Sequence, residues 1–443
     1  MNVINNPGGG HPEIEGGILR IPAAATASDI SGRLVTPDML HAIQNFQPRQ
    51  KSGKAVKFQI PLKAAFDTGE LPFYTITAYF DHDTLFPGHL KDYHCGGITY
   101  DLSDGFNHTG TDFFPWPWPW KRMDANELEV VAAASGVLFY KQDGNFDRHC
   151  ELNNDPWNGC VILHSDGSTS WYVHLKENSL TQKNVGEMIE EGEYLGVVGS
   201  SGSSLAPHLH FEVYDSEGNL LDPFEGPCNS TINGSMWAQQ PPYLQPAINR
   251  VETHRKLPVT DNCPDAEELF QADTFAQGDT IFFTVWMKNL HPGTALTFRL
   301  LKPDQTEYAS WNWNYPSDTL TAAWVYYFTL LQNSSFGWWN VEVSMNNETV
   351  AKPFYFTLKQ GYDNNIKRRN QFTIRCENSN LILDSDEIPE KIEIISTEGL
   401  TVLSRRHPNK HAEINLAGLP SGLYVVRVYT KHSSGSRKIF LKH

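Results

Sequence analysis

The sequence has no run approaching the roughly 20 apolar residues that a membrane-crossing helix needs, so no bilayer span is expected. Its first residues, Met1-Asn-Val-Ile-Asn-Asn-Pro-Gly-Gly-Gly, lack the basic-then-apolar pattern of a secretory signal. The signal of an exported form is therefore expected to have been removed or to lie outside these residues. Positive charge is in short supply: 35 Lys and Arg against 51 Asp and Glu leave a formal net charge of -16. Nucleic acids and anionic lipids reward clustered cations, so neither is expected as a general partner, and a neutral or cationic polymer fits better. Charged residues are only 19% of the chain while 40% are hydrophobic and 12% aromatic, which excludes a largely disordered protein.

No Cys-x-x-Cys spacing occurs among Cys95, Cys150, Cys160, Cys228, Cys263 and Cys376, which argues against a zinc ribbon or a redox pair and leaves disulfides. Cys150 and Cys160 flank Glu151-Leu-Asn-Asn-Asp-Pro-Trp-Asn-Gly, a polar stretch that reads as a loop one bridge would staple. Cys228 with Cys263 is a second candidate pair, and Cys95 and Cys376 are left over.

What the chain does have is short β-prone runs. At 443 residues it is too long for one core, and two to four domains of about 100 to 200 residues are expected. Residues 1–70 mix Gly, Pro and polar residues, with one short helix expected around Pro37 to Phe46 after a Thr36 cap. From 71 to 240 the runs include Phe73–Phe80, Gly136–Tyr140, Cys160–His164, Ser170–Leu175, Tyr194–Val198 and His208–Val213, separated by Gly, Asp, Asn and Ser turns. Gln239-Gln-Pro-Pro-Tyr-Leu-Gln-Pro reads as an extended connector. Residues 250–362 alternate as an immunoglobulin-like sandwich does, with Asn346-Asn347 at a hairpin turn. Lys367-Arg-Arg reads as a second linker, and 368–443 as a third small β-domain. The expected fold class is all-β and multi-domain: an antiparallel β-sheet core followed by two β-sandwich domains.

Two segments concentrate metal-binding side chains. In Pro207-His208-Leu209-His210-Phe211-Glu212-Val213, residues i and i+2 of a strand face the same side, so His208 and His210 project together. Asn107-His108-Thr-Gly-Thr-Asp112-Phe supplies another imidazole and a carboxylate from a loop entering a strand. Two neutral imidazoles and one carboxylate leave a zinc ion net positive with one position open for water, the pattern of a catalytic site. His94, His149 and His164 have no ligand spacing and read as structural or surface residues. Gly199-Ser-Ser-Gly-Ser-Ser lacks the lysine of a phosphate-binding loop and reads as a flexible turn. Trp116, Trp118 and Trp120 read either as an aromatic rim for a peptide or glycan strand or as an extended surface segment.

Between residues 95 and 225 these segments resemble, in order, the lysostaphin-like (LytM-type) zinc endopeptidases of bacteria. His108-Thr-Gly-Thr-Asp112 resembles the family's first ligand motif, Asn158-Gly-Cys-Val-Ile-Leu-His with Trp171-Tyr-Val-His174-Leu its central hairpin, and Pro207–Val213 its closing strand. The resemblance implies one zinc ion per chain held by His108, Asp112 and His210. It places His174 and His208 beside the metal as catalytic groups, which orient or deprotonate the water and stabilise the oxyanion in a division it leaves open. The Asn145–Cys160 insert and Phe113-Phe-Pro-Trp-Pro-Trp-Pro-Trp120 depart from the family pattern. A second resemblance lies in Leu416-Ala-Gly-Leu-Pro-Ser-Gly422-Leu-Tyr-Val-Val-Arg-Val and the basic strand Ser436–His443, similar to the sorting domain of type IX secretion. Together they imply a metalloendopeptidase that is secreted or on the surface of a Gram-negative bacterium, exported by the type IX secretion machinery and acting on peptidoglycan peptides. The alternatives are cleavage of Gly-rich proteins and a non-catalytic regulator that binds the cell wall.

Overall fold

Nearly every β-prone run becomes a strand. The computed structural model describes residues 15–18, 55–65, 73–103, 105–330 and 334–358 within a first compact unit, Met1–Lys359. Within the second, Gln360–His443, it describes residues 372–377, 380–385, 388–396, 401–406, 409–430 and 434–441. The helix expected at Pro37–Phe46 lies outside these residues.

The chain is all-β and multi-domain. Its first half runs β1 (Glu15–Ile18), β2 (Leu62–Ala64), β3 (Tyr74–Ala78), β4 (Thr111–Pro115), helix α1 (Pro119–Asp124), β5 (Leu128–Val131), β6 (Gly136–Gln142), β7 (Gly159–Leu163), β8 (Thr169–Val173), β9 (Met188–Ile189), β10 (Tyr194–Val197), β11 (Leu209–Tyr214) and β12 (Leu220–Leu221). An antiparallel sheet in the order β3-β4-β11-β8-β7-β6-β9, with β12 beside β11, carries the chemistry. A smaller sheet, β10-β5-β2, packs with it. Strand alternation decides which side chains serve the core. Leu209, Phe211 and Val213 of β11 join Phe58, Phe113 and Tyr172 in the main apolar cluster, so His210 and Glu212 between them face the other side. The register then sets Asp112 of β4 directly opposite His210. Cross-strand partners have Cβ atoms about 5 Å apart, which brings an imidazole and a carboxylate from distant sequence into contact.

The next strands are β13 (Ala247–His254), β14 (Thr274–Ala276), β15 (Thr280–Leu290), β16 (Ala295–Leu301), β17 (Glu307–Asn314), β18 (Thr319–Thr329), β19 (Gly337–Met345) and β20 (Glu348–Thr357). They form two sheets, β1-β18-β15-β13 and β14-β20-β19-β16-β17, around a core of Phe, Trp, Val and Leu. Asn346 and Asn347 both take positive φ at the β19–β20 turn, as a two-residue hairpin requires.

This sandwich does not hang from a linker. It packs on the first sheet, and the two form one compact unit. The Pro-Trp run lies in that interface: Trp116 and Trp118 are buried with Phe114, Ala206, Leu269 and Trp286, and the Trp116 indole N–H donates to the Met287 carbonyl at 3.0 Å. Trp120 is buried as well. The rim and surface-segment readings of these tryptophans are therefore replaced by a docking role.

The cysteine pairing also differs from expectation. Cys150 bonds Cys263, at a Cα separation of 6.1 Å, and Cys95 bonds Cys228, at 5.2 Å. Cys160 is free: on β7 it is fully buried in the core, where burial pushes its thiol up to about 12. A side chain committed to the core face cannot reach across a surface loop, so Cys150 finds its partner on the sandwich.

The second unit holds β21 (Phe372–Glu377), β22 (Asn380–Ser385), β23 (Lys391–Ile395), β24 (Thr401–Arg405), β25 (His411–Asn415), β26 (Gly422–Tyr429) and β27 (Ser434–Leu441). Sheets β21-β22-β25 and β24-β23-β26-β27 enclose a core of their own, including Leu381, Ile394, Ile414 and Val426.

Candidate metal centre

The four residues singled out by their spacing and His174, which the family resemblance added, meet on one face of the main sheet, and all are buried. His108 enters from the loop before β4, Asp112 from β4, His174 from the end of β8, and His208 and His210 from the entry and body of β11.

The orientation of each imidazole is fixed by the nitrogen that faces away from the centre. His108 Nδ1 donates to the Tyr79 carbonyl at 2.7 Å, and its ring stacks on Tyr100 at 4.4 Å. His210 Nε2 donates to Glu212 Oε1 at 2.9 Å. The nitrogens left facing inward are His108 Nε2 and His210 Nδ1, 3.2 Å apart. Asp112 Oδ1 lies 3.1 Å from the first and 2.9 Å from the second. In these tautomers three lone pairs converge on one point, an arrangement that a cation relieves. Zinc bonds of about 2.0 to 2.2 Å in tetrahedral array put neighbouring ligand atoms about 3.3 to 3.6 Å apart, so the donor set fits that ion with a slight expansion. Asp112 Oδ2 is buried without a hydrogen-bond partner, which leaves the carboxylate further capacity to ligate. Burial alone would raise the Asp112 carboxyl, but the imidazoles of His108, His208 and His210 beside it hold it well below the usual carboxylate range. Among the described residues, His108, Asp112 and His210 are the group whose ligand atoms converge in this way.

The other two histidines sit one step back. His174 Nδ1 donates to the Ser201 carbonyl at 2.6 Å, and His208 Nδ1 to the Ala206 carbonyl at 2.9 Å. Their ring centroids are 4.7 Å apart, and His208 Nε2 lies 3.7 Å from Asp112 Oδ1. The first acceptor belongs to the Gly199–Ser204 loop read as a flexible turn, and the second lies two residues beyond that loop. The loop is instead buried and cross-bonded: Ser200 Oγ donates to the His149 carbonyl at 2.9 Å and Ser201 Oγ to the Leu175 carbonyl at 2.9 Å. At Gly199 a Cβ would sit 2.4 Å from the Lys176 nitrogen, so the loop closes down on the chain after His174 only because that residue is glycine. Gly110 has the same kind of role, since a Cβ there would meet the His210 ring at 2.8 Å.

Residues 107–223 match the family described as Peptidase family M23, and residues 368–442 match the Secretion system C-terminal sorting domain. Residues 107–223 are an M23 peptidase domain. The DD-carboxypeptidase/endopeptidase Mpg of Neisseria meningitidis serogroup B (strain ATCC 13091 / M2091) is 37% identical over 85 residues, 19% of this chain and 16% of that protein. The glycyl-glycine endopeptidase ALE-1 of Staphylococcus capitis is 32% identical over 110 residues, 25% of each chain. The chain thus spans a quarter or less of the length of these curated relatives. The solved catalytic domain of the antimicrobial peptidase lysostaphin from Staphylococcus simulans aligns at 23% identity with 34% of this chain and 89% of its own, at a TM-score of 0.23.

In and just before the M23 domain, three further histidines keep to structural roles. His164 is buried and bonds the Ser135 carbonyl at 3.0 Å and Ser170 Oγ at 2.8 Å, and burial lowers its pKa. His94 stacks on Tyr243, and His149 lies 3.6 Å from Asp155. The residue that sequence reading passed over is Glu212. Its carboxylate accepts from His210, from Thr109 Oγ1 beside His108, and from the Tyr214 hydroxyl at 2.8 Å, so it ties both histidine-bearing segments together. Its position two residues beyond His210 on one strand face was a usable signal.

Proposed function

We propose that this protein is a secreted zinc metalloendopeptidase whose ion is held by His108 Nε2, Asp112 and His210 Nδ1. The observation that carries the reading is the convergence of those three atoms, each histidine having spent its other nitrogen on a protein acceptor. Zinc held by these three residues would supply a Lewis acid for the scissile carbonyl and would lower the pKa of a bound water toward about 7. His174 and His208, beside the ligands, take and return the proton and donate a hydrogen bond to the oxyanion as the peptide carbonyl becomes tetrahedral. The Ser201 and Ala206 carbonyls hold both rings with Nδ1 protonated, which turns Nε2 of each toward the reaction.

The substrate we assign is the peptide part of peptidoglycan, supported by the endopeptidase names of the relatives and by a net charge of -16 that disfavours polyanions. Zymography on purified cell walls beside casein and elastin tests this. Clearing of cell walls alone is expected, and clearing of elastin alone moves the assignment to Gly-rich proteins.

Two further expectations belong here. Glu212→Gln replaces an acceptor with a group that can present N–H to His210, and zinc affinity is expected to fall by about 10-fold to 100-fold, the usual effect of losing an outer carboxylate on a ligating histidine. Competition with a chromophoric chelator measures it. The second unit, with its own core and its match to a sorting domain, is read as an export address. Removing residues 368–443 is expected to keep the protein inside its native cell while purified enzyme retains full turnover. Lost activity in a folded truncation would make the unit part of the enzyme.

A further inference from the structure

Nothing in the motif pattern gives the sandwich a part in catalysis, yet a continuous line of contacts runs from it to the two non-ligand histidines. Cys263, on the segment between β13 and β14, bonds Cys150. The chain around Cys150 is in turn bridged to the loop that orients those histidines: Arg148 pairs with Ser200 and Glu151 with Ser204. From that loop the Ser201 carbonyl takes the His174 Nδ1 proton and the Ala206 carbonyl that of His208. The far side of the same loop is held too, because Ala206 is buried against Trp286 of β15. Arg148 adds a second tie, its Nε donating to the Pro264 carbonyl at 2.9 Å.

We infer that Cys150 and Cys263 are positioning residues for the peptidase reaction: their disulfide clamps the 148–151 segment to the sandwich and so fixes the loop that aims His174 and His208. This rests on the catalytic roles proposed for those histidines. The metal ligands are not on this route. His108 is set by Tyr79, and His210 and Asp112 by their strand pairing and Glu212, so loosening the clamp leaves the ion in place and misaligns the proton-transferring groups. Displacement of a catalytic group by about 1 Å costs up to about 100-fold in rate, so a remote clamp can matter to turnover.

The molecule contains its own control. Cys95–Cys228 spans 133 residues against 113 for Cys150–Cys263, so the two bridges close loops of similar size and restrict the unfolded chain to a similar degree. Cys95–Cys228 ties the turn at Asp92 to the chain after Phe224, where Cys228 N donates to the Tyr93 carbonyl at 3.0 Å. A purely stabilising role is therefore shared by both bridges, and a positioning role belongs to one.

The test compares full-length Cys150→Ser/Cys263→Ser with Cys95→Ser/Cys228→Ser, both assayed on cell-wall peptide well below their unfolding midpoints. The first pair is expected to lower kcat by roughly 10-fold to 100-fold with KM and zinc content unchanged. The second pair is expected to leave kcat within about twofold of the parent protein. Equal losses in both pairs, an unchanged kcat in the first, or loss of zinc from the first would each overturn the inference. If the first pair does not fold, titrating a phosphine reductant into folded Cys95→Ser/Cys228→Ser protein opens the bridge directly. Turnover should then fall in step with thiol release, and constant turnover after full release refutes the clamp. A parent protein that hydrolyses nothing overturns the catalytic reading itself, a result separate from any difference between variants.

Discussion

Replacing His174 or His208 with Ala is expected to cut turnover by roughly 100-fold to 10,000-fold, the usual worth of a general acid or base, while zinc content stays near that of the parent. The reason is geometric. Neither ring contributes an atom to the set in which His108 Nε2, Asp112 Oδ1 and His210 Nδ1 lie within 3.2 Å of one another. Each instead holds its Nδ1 proton on a carbonyl of the 199–206 loop. Removing either ring deletes a proton carrier and a hydrogen-bond donor from beside the metal and leaves the ligands as they were. Circular dichroism and thermal unfolding first establish that each variant is folded, because a buried histidine replaced by Ala also leaves a cavity. Loss of zinc from His174→Ala, or full activity in it, would show the roles to be misassigned.

Asp112→Ala is expected to lose metal and activity together. Asp112 brings the negative charge to a set of two neutral imidazoles, and its neighbours keep it ionised despite complete burial. Two imidazoles alone fall short of the three protein ligands that catalytic zinc sites ordinarily use, so activity should drop to the uncatalysed background. Added zinc should not restore it. A folded Asp112→Ala protein that kept zinc and turnover would show that the ion sits elsewhere.

How much of this could be read from the sequence depends on how far apart the interacting residues lie along the chain. The alternation His208-Leu-His210 on a β-strand told that the two histidines share a face, because strand periodicity is local, and the same rule extends to Glu212, which was passed over. That Asp112 would stand opposite His210 is a matter of register between segments 98 residues apart, and only the family resemblance supplied it. Contacts with no local signature were misread. Cys160 looked like the natural partner of Cys150 until the β7 register turned it into the core, while Cys263 lies 113 residues beyond Cys150. Trp116 and Trp118 read as surface residues because nothing near them shows that Trp286 will cover them. The Gly-Ser loop read as flexible by composition, yet its hydroxyls and carbonyls are committed to His149, Leu175 and His174, which makes it the mount for the His174 ring.

The central claim is that His108, Asp112 and His210 hold one catalytic zinc ion, and elemental analysis of the protein purified without added metal tests it most directly. The expected result is close to one zinc per chain in the parent protein and almost none in folded His210→Ala. Folded, active parent protein without zinc, or a His210→Ala variant that keeps its zinc, would contradict it.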